Sequence, residues 1–309
     1  MKKTKTKRTA KTKRMASASE EEFTEIFEKK VVDTILKNRL FTKKDRVLVA
    51  CSGGKDSTAL LYILKKRGYN VQAITVDAKI GNYTQKNLEN LKRFCEENNV
   101  KLHEISFRKE FGSSLCHIRQ ILQSRGAKLR SCTICGVLRR YLLNKAAKRL
   151  RADYVATGHN LDDEAQAVMM NLLRNNLITG ARVGPKTGTS TRRPHFVQRV
   201  KPLSMCSEKD VENYSKIREF PVNYMPCPCR HDAYRNKIRK MLDRIEKDMP
   251  RVKQNIIISF SKELAALRKR YSDGVQEYCI ECGEPSRSDK CGTCTILSLL
   301  KPSEAKAQA

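Results

Sequence analysis

The sequence predicts an α/β protein: a doubly wound, mostly parallel sheet, followed by a helical C-terminal part and a small cysteine module. Two observations predict the sheet. A continuous apolar run at 47–50 leads directly into a glycine loop, and apolar segments of strand length then alternate with amphipathic segments of helical length. Two pairs of cysteines near the end of the chain predict the module. Ligands of such sheets bind at the carboxyl ends of the strands, where the glycine loop lies.

The elements follow one another in a regular order. A helix near 20–38 precedes the first strand, and basic helices occupy 207–219 and 230–270. Between them, periodicity predicts strands at 47–50, 71–76, 103–107 and 154–157, a helix after the glycine loop, and helices at 84–98, 133–150 and 162–174. The segment 176–200 is rich in Gly, Thr and Arg and only weakly periodic. It is predicted to be a mobile basic loop over the strand ends or an ordinary surface insertion.

Charge is the first functional signal. The 309 residues include 63 Lys and Arg against 33 Asp and Glu, a net charge of +30, which favours a polyanionic partner such as nucleic acid. The first 14 residues hold eight basic residues and no acid, so we expect a disordered basic arm at 1–18. No apolar stretch of about eighteen residues predicts a membrane span, and no apolar N-terminal region predicts a secretory signal. We therefore expect a cytoplasmic protein.

The glycine loop at 52–57, Ser-Gly-Gly-Lys-Asp-Ser, is predicted to bind the phosphates of a nucleotide. Its spacing differs from the Walker A pattern, but paired glycines let backbone N–H groups approach an anion, and the following helix adds its positive N-terminal end. Ser52 and Ser57 offer hydroxyl groups, and Lys55 offers a charge. Asp56 beside a phosphate site is typical of a Mg²⁺ ion that accompanies the phosphates.

A second segment supports this interpretation. Residues 157–164, Thr-Gly-His-Asn-Leu-Asp-Asp-Glu, follow the fourth predicted strand. Together the two segments resemble the PP-loop ATP pyrophosphatases, which split ATP into AMP and pyrophosphate while they adenylate a substrate oxygen. The resemblance implies that Gly158 and Asp163 contact the nucleotide and its metal, with Asp162 close by. The two aspartates can equally cap the N-terminus of the following helix.

The cysteines fall into groups. Cys279, Cys282, Cys291 and Cys294 form a C-x2-C-x8-C-x2-C pattern, which predicts a closed, structural zinc ribbon. Cys132 and Cys135 form a separate C-x2-C pair at the start of a predicted helix, where the helix N-terminus and nearby arginines stabilise a thiolate. This pair is compatible with a redox pair, half of a zinc site or part of an iron–sulfur cluster, with Cys227 or Cys229 as a further ligand. The remaining cysteines are expected to be buried small hydrophobic residues: Cys51, Cys95, Cys116 and Cys206.

The order of these motifs resembles the tRNA 2-thiouridine synthetases. It comprises the glycine loop, C-x2-C-G-x2-R-R, T-G-H-N-L-D-D-E-A, a cysteine after Phe220-Pro221-Val222, and a C-terminal ribbon, over about 30–297. The resemblance implies a [4Fe-4S] cluster held by Cys132, Cys135 and Cys227, with one iron left open. The sequence departs from the family in having a basic arm where members carry a first zinc ribbon. It also has Arg139 where some members have Lys, which argues against proton transfer there.

The resemblance also implies a reaction and its participants. ATP with Mg²⁺ adenylates the C2 oxygen of a uridine in tRNA, and sulfide bound to the cluster then replaces that oxygen. Inorganic sulfide or a ubiquitin-like thiocarboxylated carrier protein supplies the sulfur, and the enzyme is a homodimer. The alternatives are a tRNA 2-thiocytidine synthetase, a lysidine synthetase, and a zinc-ribbon RNA-binding protein with a vestigial ATP loop. The implied catalytic residues are Asp56, Arg139, Cys132, Cys135 and Cys227.

The resemblance extends to the nucleotide contacts and to the division of the chain. The implied ATP-binding residues are Ser52, Gly53, Gly54, Lys55, Asp56, Ser57, Val76, Arg139, Gly158, Asp162 and Asp163. The predicted organisation is a basic arm at 1–18, a PP-loop catalytic domain at 19–205, a helical tRNA-binding part with the third cluster cysteine at 206–275, the zinc ribbon at 276–298 and a tail at 299–309.

Overall fold

A five-stranded parallel sheet forms the centre of the protein in a computed structural model. The structure describes residues 3–187, 196–230, 234–271, 277–286 and 288–301, and the side chains of the first helix from Ser19 onward. Its strands are β1 (Val47–Ala50), β2 (Val71–Asp77), β3 (Leu102–Ser106), β4 (Tyr154–Thr157) and β5 (Gln198–Val200). They lie in the order β3-β2-β1-β4-β5, and all neighbours are parallel. The predicted fold class is confirmed.

The strand order reverses between β1 and β4. β2 and β3 lie on one side of β1, whereas β4 and β5 lie on the other. Ala50, the last residue of β1, pairs with Thr157, the last residue of β4, so both strands end at the same edge of the sheet. Ligands of doubly wound sheets bind where the order reverses. The glycine loop and the segment 157–164 therefore leave the sheet side by side.

Helices cover both faces of the sheet. They are α1 (Lys3–Lys37), α2 (Lys55–Lys66), α3 (Gly81–Glu97), α4 (Phe107–Phe111), α5 (Leu115–Ser124), α6 (Ser131–Arg149), α7 (Leu161–Leu172), α8 (Leu177–Gly180), α9 (Glu208–Ile217), α10 (Tyr234–Asp248), α11 (Val252–Tyr271) and α12 (Gly292–Ser298). The helices α4 and α5 were not predicted. α4 has only five residues, whereas α5 has the helical spacing Leu115, Ile118 and Leu122, a signal that the sequence analysis missed.

Alternation along the strands divides the core into two clusters. Val47 and Val49 of β1 face the cluster formed with α1, α2, α3 and α9, whereas Leu48 faces the cluster formed with α5, α6 and α12. Successive side chains of a strand point to opposite faces, so a strand buried on both faces is apolar throughout. A third cluster joins α7 to α10 and α11 through residues such as Ala165, Ile238 and Ile257.

The N-terminal segment differs from its expectation. The sequence predicted a disordered arm at 1–18, whereas the backbone of α1 is helical from Lys3. Residues 1–18 contain no Gly or Pro, so nothing in the local sequence interrupts the helix. The C-terminal half of α1 is buried against the sheet through Phe27, Val31 and Ile35, which are spaced four residues apart.

The segment 176–200 is more ordered than predicted. It contains the short helix α8 and the edge strand β5, which pairs in parallel with β4. The strand β5 has only three residues, and two of their side chains are polar, so the sequence shows no strand periodicity there. Its pairing with β4 shows that it is a strand. Residues 188–195, the central part of the predicted mobile loop, lie outside the described residues.

The cysteine module consists of the strands β6 (Glu277–Tyr278) and β7 (Pro285–Ser286), which are antiparallel, and α12. It packs on α6, where Ile296 of α12 joins the second core cluster. Asn144 donates a hydrogen bond of 2.6 Å to Glu284 of the module, and the Lys148 ammonium lies 3.2 Å from the same carboxylate. Among the described helices, none is long and apolar enough to cross a membrane.

Candidate nucleotide and cysteine site

The glycine loop is closed onto the start of α2. The Ser57 hydroxyl accepts a hydrogen bond of 3.1 Å from the Ser52 N–H and donates one of 3.2 Å to the Gly54 carbonyl. Gly53 has φ +76°, and a Cβ atom there would lie 2.4 Å from the Asn87 carbonyl oxygen. Only glycine fits this position, because both the conformation and the space exclude a side chain. The loop is thus a tight backbone cradle at the N-terminus of a helix, as expected for a phosphate site.

The second segment packs directly against the first. Asn160 caps α7: its Oδ1 accepts from the Asp163 N–H at 3.0 Å, and Asp163 accepts from the Asn160 N–H at 3.4 Å. The side-chain NH2 group of Asn160 donates a hydrogen bond of 2.9 Å to the Asp56 carboxylate. A Cβ atom on Gly158 would lie 2.8 Å from the Ser57 nitrogen. Two motifs about a hundred residues apart in the chain therefore form one surface, and the capping role considered for Asp163 is confirmed.

Asp56 and Lys55 form a charged pair within this surface. Lys55 Nζ lies 3.1 Å from Asp56 and 3.2 Å from Glu208, the first residue of α9. Burial raises the pKa of Asp56, although the Lys55 charge and the Asn160 hydrogen bond oppose the rise. Burial also opposes the charge on Lys55, but Asp56 and Glu208 outweigh it and the pKa of Lys55 is raised. The lysine therefore stays protonated beside the loop.

Asp162 has a different environment from Asp163. Its side chain is buried, and its two oxygens accept from Lys253 Nζ at 2.6 Å and from the Glu208 N–H at 2.7 Å. Lys253, also buried, contacts Asp243 at 2.6 Å and Glu246 at 2.8 Å. The three carboxylates lie close enough together to hold a metal ion. The Lys253 ammonium already provides the compensating charge, so Asp162 ties α7 to α11.

A cavity of about 1100 Å³ opens between the two motifs, the start of α6, the segment 223–227 and α10. This is larger than most small-ligand pockets, which leaves room for a nucleotide and a second reactant. Seven Lys or Arg residues and four carboxylates line it, an excess of positive charge that suits polyanions. Lining residues include Ser52, Gly54, Lys55, Asp56, Asn160, Asp163, Cys132, Arg140, Cys227, Arg235 and Arg239.

The predicted cluster cysteines meet at this cavity. Cys132 and Cys227 line it, and Cys135 lies half-buried one helical turn after Cys132. Burial raises the pKa of Cys135, Arg139 opposes the rise, and the thiols of Cys227 and Cys132 add to it, so the three are electrostatic neighbours. The Cys132 Sγ also lies 3.3 Å from the Cys229 carbonyl oxygen. Two thiols that line a ligand cavity, with a third one helical turn from the first, fit the donor type of an iron–sulfur cluster.

The four cysteines of the C-terminal module form a compact group. All four Sγ atoms lie within 4.8 Å of one another, and those of Cys282 and Cys291 are 3.6 Å apart. Four thiolates bound to one Zn²⁺ at about 2.3 Å in a tetrahedron lie about 3.8 Å apart, so the group fits this ion. The predicted convergence of these cysteines is confirmed.

Comparison with known proteins agrees with this geometry. Residues 16–245 match the PP-loop domain family. The "tRNA-5-methyluridine(54) 2-sulfurtransferase" of Pyrococcus horikoshii is 32% identical over 91% of this chain and 88% of that protein. The chain belongs to the PP-loop family of tRNA 2-sulfurtransferases. The resemblance inferred from the motifs is confirmed.

Further members of the family span most of the chain. The "Cytoplasmic tRNA 2-thiolation protein 1" of Dictyostelium discoideum is 33% identical over 93% of this chain and 79% of that protein. The solved structure of the "U34-tRNA thiolase NcsA from Methanococcus maripaludis with its [4Fe-4S] cluster" is 28% identical. It covers 92% of this chain and 90% of its own length, with a TM-score of 0.74.

Seven residues of the predicted nucleotide and cluster site are not among those that line the cavity: Gly53, Ser57, Val76, Cys135, Arg139, Gly158 and Asp162. Arg139 is half-buried beside Cys135, and its Nε is buried without a hydrogen-bond partner among the described residues. The next residue, Arg140, lines the cavity instead. Val76 is buried in the core near the end of β2. The catalytic role of Arg139 and the nucleotide contact of Val76 remain predictions.

The isolated cysteines divide into two kinds. Cys51, Cys95 and Cys206 are buried, as predicted. The prediction of burial was wrong for Cys116, which is exposed on the short helix α5 and lies near Cys229. Because α5 had not been predicted, the sequence provided no helix face on which to place this residue.

Sequence reasoning missed the partners of the two motifs. Glu208 contacts Lys55, Arg235 contacts Asp163 and Lys253 contacts Asp162, all from helices that follow the sheet. Arg239 contacts Glu208 in turn. The basic character of 230–270 was the one available signal, but it does not say which positions face the site. Helical periodicity with Ile238 and Leu242 as buried positions would have placed Arg235 and Arg239 to one side of the apolar face.

Proposed function

We propose that the chain is a tRNA 2-sulfurtransferase that uses ATP to activate the C2 oxygen of a uridine and replaces that oxygen with sulfur. The observation that carries the proposal is that the glycine loop, Asp56, Asp163, Cys132 and Cys227 open on one cavity. A nucleotide site and a thiol site that share a cavity can act on the same atom in succession. The names of the relatives, tRNA 2-sulfurtransferases and a tRNA thiolase, support the same reaction.

In the first step, the uridine O2 attacks the α-phosphorus of ATP, an O–P bond forms, and pyrophosphate leaves. The backbone N–H groups of the glycine loop and the positive end of α2 stabilise the phosphate charge. Lys55, held between Asp56 and Glu208, adds a fixed cation. Asp56 and Asp163 would hold Mg²⁺, which favours oxygen ligands and substrate phosphates. The result is a uridine whose C2 carries a good leaving group.

In the second step, a sulfur nucleophile forms a bond to C2, and AMP leaves with the former O2, so that a C=S group replaces the C=O group. Cys132, Cys135 and Cys227 would hold a [4Fe-4S] cluster, and that cluster supplies sulfide for this step. The cavity shared by the glycine loop and the two lining thiols is where the protein would bind the uridine.

The partners follow from charge and from the family. The basic surface suits tRNA, and the relatives' names include a cytoplasmic thiolation protein, which supports a cytoplasmic location. The four-cysteine module would bind a structural Zn²⁺, and its contact with α6 supports the helix that carries Cys132 and Cys135. Sulfide or a thiocarboxylated carrier protein as donor, and a homodimeric assembly, remain predictions of the family resemblance.

The test is anaerobic purification followed by iron, sulfide and zinc analysis and an assay with tRNA. About four irons and one zinc per chain are expected from a three-cysteine cluster and a closed four-cysteine site. Incubation with tRNA, ATP, Mg²⁺ and sulfide should yield 2-thiouridine, detected by mass spectrometry of nucleosides, together with AMP and pyrophosphate. Formation of 2-thiocytidine or lysidine, or RNA binding without ATP cleavage, would overturn the proposal.

A further inference from the structure

Helix α10 lies across the cavity from the glycine loop and is held there by contacts away from the cavity. Ile238 and Leu242 are buried against α7, while Asp243 and Glu246 bind the buried Lys253 of α11. A further contact lies at the cavity wall, where the Arg174 guanidinium stacks 4.1 Å above the Tyr234 ring at the start of the helix. The position of α10 therefore does not depend on the two arginines that it directs into the cavity, Arg235 and Arg239.

Arg235 is paired with a carboxylate of the second motif. One guanidinium nitrogen lies 3.2 Å from Asp163 Oδ1, and the side chains are 42% and 33% exposed. The other oxygen of Asp163 accepts from the Asn160 N–H. The pair has a single N–H···O contact and solvent on one side. Such a half-exposed pair contributes little to stability, so exchange of its partner costs little.

Arg239 has a different kind of partner. It lies 2.9 Å from Glu208 and 3.7 Å from Asp243, and Glu208 also binds Lys55. This chain of charges holds Lys55 at the glycine loop, so Arg239 acts through Glu208 as a positioning residue. Arg235, by contrast, contacts one of the carboxylates that would hold Mg²⁺.

Two cations cannot share one carboxylate oxygen without repulsion. A Mg²⁺ ion on Asp163 would compete with Arg235 for Oδ1, and the displaced guanidinium, anchored by α10, would stay in the cavity that receives the nucleotide. Guanidinium groups bind phosphate oxygens with two parallel N–H groups. We propose that Arg235 is a phosphate ligand of Mg·ATP, which transfers from Asp163 to the nucleotide when the metal binds. The inference rests on the proposed ATP-dependent function.

The experiment measures binding of Mg·ATP to the full chain by titration calorimetry, without tRNA. Arg235→Ala should raise the Kd about tenfold to a hundredfold, the loss of one charge-assisted contact. Arg235→Lys should recover part of the affinity, because it keeps the charge but not the planar fork. The matched control is Arg244→Ala, an exposed position of α10 that does not line the cavity, and its Kd should equal that of the wild type.

If the Arg235–Asp163 pair is purely structural, the Kd for Mg·ATP should not rise. If Arg235 only neutralises Asp163, its removal frees that carboxylate, so less Mg²⁺ is needed for half-saturation and the affinity for ATP stays equal or rises. That result overturns the inference while leaving the proposed function intact. Failure of the wild-type chain to bind Mg·ATP overturns both. Thermal unfolding of each variant establishes that a raised Kd reflects the site, and Arg235→Gln replaces Arg235→Ala should the latter fail to fold.

Discussion

Asn160 donates a hydrogen bond from its side-chain amide to Asp56 at 2.9 Å, while its carbonyl oxygen caps α7. Asp56 belongs to the glycine loop and Asn160 to the second motif, so one side chain joins the two halves of the nucleotide site. The amide is buried, and its hydrogen bond favours the ionised form of Asp56 against the effect of burial.

Asn160→Ala should therefore shift the pH dependence of ATP use. Without the hydrogen bond the pKa of Asp56 rises further, so a higher pH is needed to keep the carboxylate charged for Mg²⁺. The acidic limb of kcat/KM against pH should move to higher pH, and the lost cap should cost about 1 kcal/mol of stability. The control is Asn98→Ala, whose amide donates to the Phe94 carbonyl at the end of α3. An unshifted limb would show that Asn160 does not set the charge of Asp56.

Gly158→Ala should separate the two motifs. A methyl group there would lie 2.8 Å from the Ser57 nitrogen, and backbone atoms cannot move aside cheaply. We expect the Kd for Mg·ATP to rise at least tenfold, with a modest loss of stability. Gly180→Ala is the matched control, because the nearest atoms to an added methyl there are 3.9 Å away. Equal affinities of the two variants for ATP would contradict a nucleotide site at this contact.

Cys132→Ala and Cys135→Ala should each abolish thiolation and lower the iron content, while tRNA binding and ATP binding persist. The physical reason is that a cluster held by three protein thiolates loses a third of its ligands. Cys116→Ala serves as control, because this exposed cysteine lies on α5 and outside the predicted ligand set. Iron, sulfide and tRNA retention are measured on the same anaerobic samples. Loss of tRNA binding by a folded variant would count against a role confined to sulfur transfer.

Removal of Cys282, a proposed zinc ligand, should destabilise the module and its contact with α6. Cys282→Ser breaks a closed set of four thiols, so zinc content should fall and the thermal midpoint with it. Glu284→Ala should keep the zinc but lose the contacts to Asn144 and Lys148, and should therefore cost less. Full zinc occupancy in Cys282→Ser would mean that the four cysteines do not form one site.

Lys253→Met should be among the most destabilising single changes in the chain. It leaves the Asp162 carboxylate buried without its cation, which costs about 3–5 kcal/mol in comparable sites, whereas Asp243 and Glu246 can be solvated. Urea denaturation of the variant is compared with that of Lys262→Met, an exposed position on the same helix. The double variant Asp162→Asn, Lys253→Met should recover part of the loss. Wild-type stability of Lys253→Met would contradict the anchoring role of Asp162.

Much of the site was predictable because it is built from contiguous residues. The strand at 47–50, the glycine loop and the helix after it are each decided by a few neighbouring side chains, and the same holds for the Asn160 cap and the spacing of Cys279 and Cys282. The resemblance of the ordered motifs to the thiolation family was correct for this reason. These features depend on local conformation and on ligand spacing, and both can be read from residues that are close together in the sequence.

The charged partners of the site depend on packing between distant segments. Lys55 meets Glu208 across 153 positions and Asp162 meets Lys253 across 91, and nothing in either local sequence names its partner. The choice of Arg140 over Arg139 at the cavity wall depends on the rotation of α6. The strand β5 depends on hydrogen bonds from the neighbouring β4 and from the segment 185–187. Local chemistry thus specified which groups would act. The docking of α9 on α2 and of α10 and α11 on α7 specified which of their charges surround those groups. Ion pairs require three-dimensional proximity that periodicity alone does not encode.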